Sequence, residues 1–294
     1  MINILTVASL FSRGQIMRTL KCFFPGKGFP TFSATGSRCA LQCPHCMGTP
    51  LSNMGDISSP DALRAHALRL SQQGGRGFLL SGGCDSRGAV PLLHLLDEIS
   101  RIKETTRLLI NAHIGFPDPG DLPRLVESGI DAFSINFPIC NQFGEKILQV
   151  NNAIERYRDT AEELAALGAE RVIPHFLIGL ATKEEEETGL RLLEEYGTEK
   201  LVIIAFIPLK GAPFNERAPA REERIVWFAE RARKLLPDAS IALGCMRPRG
   251  YISAETRLMR DTIDGIVLPA AGALRALEDE IRVERIDGCC ALYL

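Results

Sequence analysis

Three cysteines in one short run, FSATGSRCALQCPHCMGTP, have the types and spacing to hold an inorganic cluster. Cys39, Cys43 and Cys46 form CxxxCxxC, just after an apolar segment that reads as a strand. Three thiolates that close in sequence can wrap one face of a cubane and bind three of its irons. A [4Fe–4S] cluster with four cysteine ligands is closed, whereas one with three leaves an iron open to a further ligand. Zinc sites are usually built from two separated pairs. A redox dithiol needs only CxxC, which leaves Cys39 surplus. On spacing alone, buried thiols or a metal site of another kind stay open.

The elements around this run alternate with a regular rhythm. Apolar strand-like runs lie at 31–36, 78–83, 107–114, 132–137, 171–180, 201–209, 240–244 and 265–269, each followed by a helical pattern. Short continuous apolar runs are what a parallel sheet covered by helices requires. The first helix, SSPDALRAHALRLSQQGG, has Ser58 or Ser59 to cap it, Pro60 in its first turn and a double glycine to stop it. Eight strand–helix units predict an α/β chain folded as a (β/α)8 TIM-type barrel, complete or nearly complete. One domain is expected over residues 1–294, with an N-terminal extension at 1–29. A C-terminal cysteine tail at 281–294 is expected to fold over the barrel mouth. In such a barrel, active residues lie just after the carboxyl ends of strands.

Composition narrows the partners. The net charge of −2 gives no basic footprint, so nucleic acid is not expected. The opening MINILTVASLFS lacks a cationic start and a small-residue cleavage site, so it does not read as a signal peptide. No apolar run reaches the ~20 residues of a membrane span. Nine cysteines without an export signal favour metal or cluster chemistry in a reducing cytoplasm.

The cysteine run resembles the signature of the radical S-adenosylmethionine (SAM) superfamily. That resemblance implies a cluster whose open iron is chelated by SAM, and reductive cleavage to a 5′-deoxyadenosyl radical. It further implies SAM contacts from the glycine pair of LLSGGCD (Ser81, Gly82 and Gly83) and from Ile178 and Gly179 of IPHFLIGL. His45, inside CPHC, stands where family members often carry an aromatic residue near the adenine. The acidic position that usually follows the glycine pair is here Cys84, followed by Asp85. Asn136 after the fourth strand suits a ribose hydroxyl. Arg247 and Arg249 in LGCMRPRG suit the SAM carboxylate, an anionic substrate end or a cluster ligand.

Other residues at strand ends have two readings each. His113 and His175 are either satisfied core residues or, as two rings facing one mouth, a substrate or proton site. Lys210 reads as a solvated loop lysine. Cys84, Cys245, Cys289 and Cys290 are either isolated buried thiols or ligands of an auxiliary iron–sulfur cluster, the reading favoured here. Cys22 and Cys140 read as structural.

The finer pattern of FPGKGFPTFSATG, LLSGGCDSRG, VIPHFLIGL, LGCMRPRG and the terminal CC is similar to biotin-synthase-related proteins that act as one half of a two-protein lipoyl synthase. It implies sulfur insertion from an auxiliary cluster into an octanoyl chain on a carrier protein or peptide. A second radical SAM protein and an electron donor such as ferredoxin or flavodoxin are the implied partners. Two alternatives stand beside it: a radical SAM enzyme of other chemistry, such as a cofactor maturase or methylase, and a non-catalytic iron–sulfur or zinc protein.

Overall fold

All the strands among the described residues run the same way. The computed structural model describes residues 17–294, so the reading of MINILTVASLFS lies outside them. Among the described residues eleven strands are present: β1 (Arg18–Phe23), β2 (Thr31–Ser33), β3 (Gly55–Asp56), β4 (Gly77–Ser81), β5 (Leu109–His113), β6 (Ala132–Phe137), β7 (Val172–Ile178), β8 (Lys200–Ala205), β9 (Ser240–Leu243), β10 (Gly265–Val267) and β11 (Ile281–Ile286). They form one sheet in the order β11-β1-β10-β9-β8-β7-β6-β5-β4-β2-β3. Every strand pair is parallel. All eight strands expected from the sequence are there, and the sheet curls into an incompletely closed TIM-type barrel whose edges are β3 and β11.

Helices follow the strands. They are α1 (Pro60–Gln72), α2 (Leu96–Thr105), α3 (Leu122–Glu127), the single turn α4 (Asn141–Phe143), α5 (Ala153–Ala166), α6 (Lys183–Glu195), α7 (Glu222–Leu235), α8 (Ile252–Asp261), α9 (Ala271–Ala276) and the terminal turn α10 (Cys290–Tyr293). Ser59 caps α1 by accepting from the Ala62 N–H, with Pro60 in the first turn. Thr182 and Glu185 close a reciprocal capping box at α6. The long helix after β6 starts only at Ala153, because Gln149 and Asn152 take left-handed backbone conformations that a helix cannot continue through. No helix among the described residues is long and apolar enough to cross a membrane.

The pleat sorts the side chains. On β8, Leu201, Ile203 and Ala205 face outward into the main core with Phe228 and Ala229 of α7. Val202 belongs instead to an inner cluster with Phe23, Ile173, Ala242 and Val267. The inner cluster also holds Cys290 and Ala291 of the tail, while Leu292 packs with Phe29 and Ala132. The tail therefore turns over the carboxyl ends of the strands and continues down into the barrel, where α10 meets β5, β6 and β10. Lys21 Nζ donates to the Tyr293 carbonyl at 2.6 Å and pins it to β1. Burying a leucine such as Leu292 is worth about 1.5–3 kcal/mol towards that docking.

Two stretches depart from expectation. Residues 18–23, placed within an N-terminal extension, form the strand next to the sheet's edge strand β11. Residues 281–286, placed within the cysteine tail, form its edge strand. Both carry charges between their apolar residues, and β11 is exposed at four central positions, so neither shows the continuous apolar run of an inner strand.

Candidate functional site

The loop after β2 is built to approach the loop after β4. Thr35 Oγ1 donates to the Arg38 carbonyl at 2.8 Å and accepts from the Gly83 N–H at 2.7 Å. The Ala40 N–H donates to the Cys84 carbonyl at 2.8 Å. A Cβ on Gly83 would stand 2.0 Å from the Arg38 carbonyl oxygen, so only glycine permits this approach. Thr35 was not singled out in the sequence, although a threonine next to the glycine of TFSATG is the signal that marks it.

Within this junction Cys39, Cys43 and Cys46 line one cleft of about 200 Å3 together with Cys84, His45, Ser81, Gly82, Gly83 and Asn136. Asn136 is exposed on β6 and aims into the cleft. Hydrogen bonds from Cys43 Sγ to the Leu148 carbonyl (3.2 Å) and between His45 Nδ1 and the Ile147 carbonyl (3.2 Å) clamp the loop from the other side. The Cys46 thiol is drawn down to about 4, chiefly by the donating thiol of Cys43 and, against burial, by His45 and the Gly48 N–H. The Cys43 thiol moves up for the complementary reason, the Cys46 sulfur and then burial. Cys84 is pushed up to about 12 by burial and by the charges of Cys39, Asp85 and Cys46.

Among the described residues, no three His, Cys, Asp or Glu side chains converge tightly enough for one metal ion. That spacing is unlike a zinc site, whereas in a cubane each thiolate meets its own iron. A thiol set and a readily ionised Cys46, with the glycine-held loop after β4 closing one side of the cleft, fit a [4Fe–4S] cluster with SAM beside it. Cys39, Cys43 and Cys46 would hold the cluster; Gly82, Gly83 and Asn136 border the space for SAM.

The auxiliary set needs correction. Cys84 lies with the first three cysteines, because the loop after β4 folds towards the β2 loop. Cys245, Cys289 and Cys290 form a separate group, on the β9 loop and the inserted tail. Protein atoms packed around the Cys245 thiol and the nearby Cys289 raise its pKa, even though the residue keeps solvent exposure. Cys289 is lowered, first by the donating thiol of Cys290, and Cys290 is raised correspondingly. Asn111 Nδ2 donates to Cys289 Sγ at 3.4 Å, and Ser134 Oγ donates to Asn111 Oδ1 at 2.8 Å. Neither Asn111 nor Ser134 was singled out in the sequence.

Three cofactor assignments also change. The Ile178 side chain is fully buried in the outer core. The Gly179 N–H is taken by Glu186 Oε1 at 2.7 Å, and this glycine borders a different depression, with Ala220 and Arg224. Neither lines the cysteine cleft. Arg247 is 2% exposed and fully engaged. It pairs with Glu255 at 2.8 Å and donates to the carbonyls of Gly244 and Val267, each at 2.7 Å. Those bonds tie the β9 loop to the β10 loop and leave no group for a ligand. Arg249 donates to the Cys245 carbonyl at 2.7 Å and to Val267 and Leu268.

His113 and His175 do meet, with ring centroids 4.7 Å apart. Burial depresses His175 to about 4 and, with the charge of His175 added, His113 to about 3, so both rings are neutral near pH 7. Lys210 is exposed. Cys22 is buried in β1, and Cys140 Sγ accepts from the Phe143 N–H at the start of α4.

The radical SAM superfamily model matches residues 34–198, which run from the loop after β2 to just past α6 and include every cysteine of the first group. Biotin synthase of Thermotoga neapolitana is 25% identical over 188 residues, covering 62% of this chain and 67% of the relative. Biotin synthase of Pelotomaculum thermopropionicum is 24% identical over 264 residues, covering 85% and 80%. The fold resembles HydG, a maturase of the [FeFe]-hydrogenase, with a TM-score of 0.64 at 13% identity; 85% of this chain is covered but only 57% of HydG. It also resembles methylornithine synthase PylB, with a TM-score of 0.60 at 16% identity, covering 92% and 84%. The matched segment, the three-cysteine loop and the glycine pair held against it agree: this chain belongs to the radical SAM superfamily.

Proposed function

We propose that this chain is a radical SAM sulfurtransferase of the lipoyl synthase type, inserting sulfur into an octanoyl chain carried by a protein or peptide. The observation that carries the reading is the second thiol group, Cys245, Cys289 and Cys290, brought together by the descent of the tail into the barrel. A single SAM-cleaving site has no use for it.

When bound, SAM and the first cluster supply a radical able to take hydrogen from an unactivated methylene. The chain's own contribution is placement. A carbon radical is trapped only by a group within contact distance, so a sulfur donor must line the same enclosure as SAM. One thiol set stands on the loops after β2 and β4 and the other on the β9 loop and the inserted tail, so this reading requires the octanoyl chain to lie between them. Gly82 and Gly83 let the loop after β4 close on the cysteine loop at the edge of the cleft, and Asn136 presents an amide to the same cleft. His113 and His175 meet across β5 and β7 as a polar pair that carries no charge. The donor set at the second group fits an auxiliary iron–sulfur cluster held by Cys245, Cys289 and Cys290.

An octanoylated carrier, a second radical SAM protein and a ferredoxin- or flavodoxin-type electron donor are the partners this reading requires. Nine unpaired cysteines suit a reducing cytoplasm. The test is anaerobic reconstitution with SAM, a reductant and an octanoylated peptide, followed by mass spectrometry. About eight irons per chain and a peptide heavier by sulfur are expected. About four irons and no sulfur gain would instead favour a radical SAM enzyme of other chemistry.

A further inference from the structure

An amide sits where the inner wall of the barrel has little reason to hold one. Asn111 is 1% exposed in the middle of β5, between Leu79 of β4 and Ala132 of β6 in the sheet register. Burying an amide is costly unless its polar atoms find partners. Here one comes from the neighbouring strand and the other from 178 residues further along the chain. Ser134 Oγ, itself fully buried, donates to Asn111 Oδ1 at 2.8 Å. That bond fixes the amide's orientation and turns Nδ2 towards Cys289 Sγ, 3.4 Å away.

From this we infer that Asn111, held by Ser134, is a positioning residue for the second cluster: its N–H donates to the sulfur of Cys289 and raises that cluster's reduction potential. The inference rests on the two-cluster reading above. Reduction adds negative charge to a cluster and its thiolates, so a hydrogen bond aimed at a ligand sulfur stabilises the reduced form more than the oxidised one. Hydrogen bonds to the sulfurs are among the terms that set such potentials, and partners of this kind orient the ligand as well. The same bond fastens Cys289 to the barrel wall, while Lys21 holds the far end of the tail through the Tyr293 carbonyl. The wall thus fixes both the place and the electron affinity of the site.

The experiment is a potentiometric titration, followed by electron paramagnetic resonance, of the fully reconstituted chain and of Asn111→Ala, Asn111→Asp and Ser134→Ala. The cluster whose spectrum shifts on adding SAM is the first one; the other is the reporter. Asn111→Ala is expected to lower the reporter's reduced-to-oxidised ratio about tenfold at a fixed potential, equivalent to about 59 mV for one electron. Asn111→Asp, which turns an acceptor towards the sulfur, lowers it further. Ser134→Ala leaves the amide in place but frees its rotation, and shifts the reporter in the same direction by less. The SAM-responsive cluster stays at its wild-type potential throughout. If Asn111→Ala does not fold, Ser134→Ala decides. Eight irons with an unmoved reporter potential overturn this inference and leave the two-cluster reading standing. About four irons in the wild-type chain overturn both.

Discussion

Replacing Gly83 by alanine adds one methyl group at the tightest point of the site. Its Cβ would stand 2.0 Å from the Arg38 carbonyl oxygen and 2.6 Å from both Cα and Cβ of Cys39. Relief to 3.0 Å against the carbonyl alone requires a movement of 1.0 Å (3.0 − 2.0). The atoms that must move are backbone, and they carry the first cluster ligand. Gly83 has no left-handed backbone angle, so steric crowding is the whole effect. Overpacking of this kind costs about 1–3 kcal/mol of stability. A misplacement of about 1 Å in a reacting site costs on the order of 100-fold in rate. Gly82→Ala is the control, because its Cβ would lie 3.0 Å from Val90 Cγ1 and 3.4 Å from Thr35, contacts that side chains relieve by a few tenths of an ångström. The assay is iron content and 5′-deoxyadenosine release after anaerobic reconstitution. Gly83→Ala should lose most of both and Gly82→Ala far less. A Gly83→Ala chain with full iron and wild-type SAM cleavage would refute the argument that this approach positions the cluster loop.

Cys39→Ala, Cys43→Ala and Cys46→Ala should each abolish deoxyadenosine release, whereas Cys245→Ala should remove about half of the iron and leave release largely intact; iron analysis beside product chromatography checks both. Arg247→Ala strands Glu255 as a buried unpaired carboxylate, so urea unfolding should show a loss of about 3–5 kcal/mol. His175 is held neutral, with its pKa lowered to about 4. An unfolded histidine takes up its proton near pH 6.5. The unfolded chain therefore binds the extra proton between those values, and stability falls as the pH drops through that window, by up to about 3 kcal/mol. His175→Gln, measured by thermal unfolding of the iron-free chain, should weaken that dependence and leave the share of His113, which is lowered to about 3.

The parts of the site that were legible are those fixed by strand ends. Apolar runs such as AFSINF and LVIIAF located the inner strands, and CxxxCxxC after β2 located the first thiol group. What escaped depends on direction rather than position. Arg247 follows a strand as expected, but only the fold shows its guanidinium turned inward onto Glu255 and three carbonyls. Cys84 also follows a strand, yet the Thr35–Gly83 bond draws its loop to Cys39 and away from the tail. Ile178 was read from a resemblance, but its place on the pleat sends it outward. Asn111 lay inside the apolar run RLLINAHI, where a single asparagine gives no sign of a partner so far along the chain.

The placing of β1 between β10 and β11 has a consequence for how the chain is made. Lys21 pairs with Gly265, a separation of 244 residues (265 − 21), and Arg18 with Ile281 further on still. During synthesis this strand leaves the ribosome long before either neighbour exists, with Leu20, Cys22 and Phe23 uncovered. Such distant pairings require the chain to lose its freedom before any contact rewards it, which slows folding and prolongs exposure of the unpaired strand. A nascent chain halted after β9 would keep that strand orphaned on both edges. Chaperone supply during expression should therefore govern the yield of intact barrel.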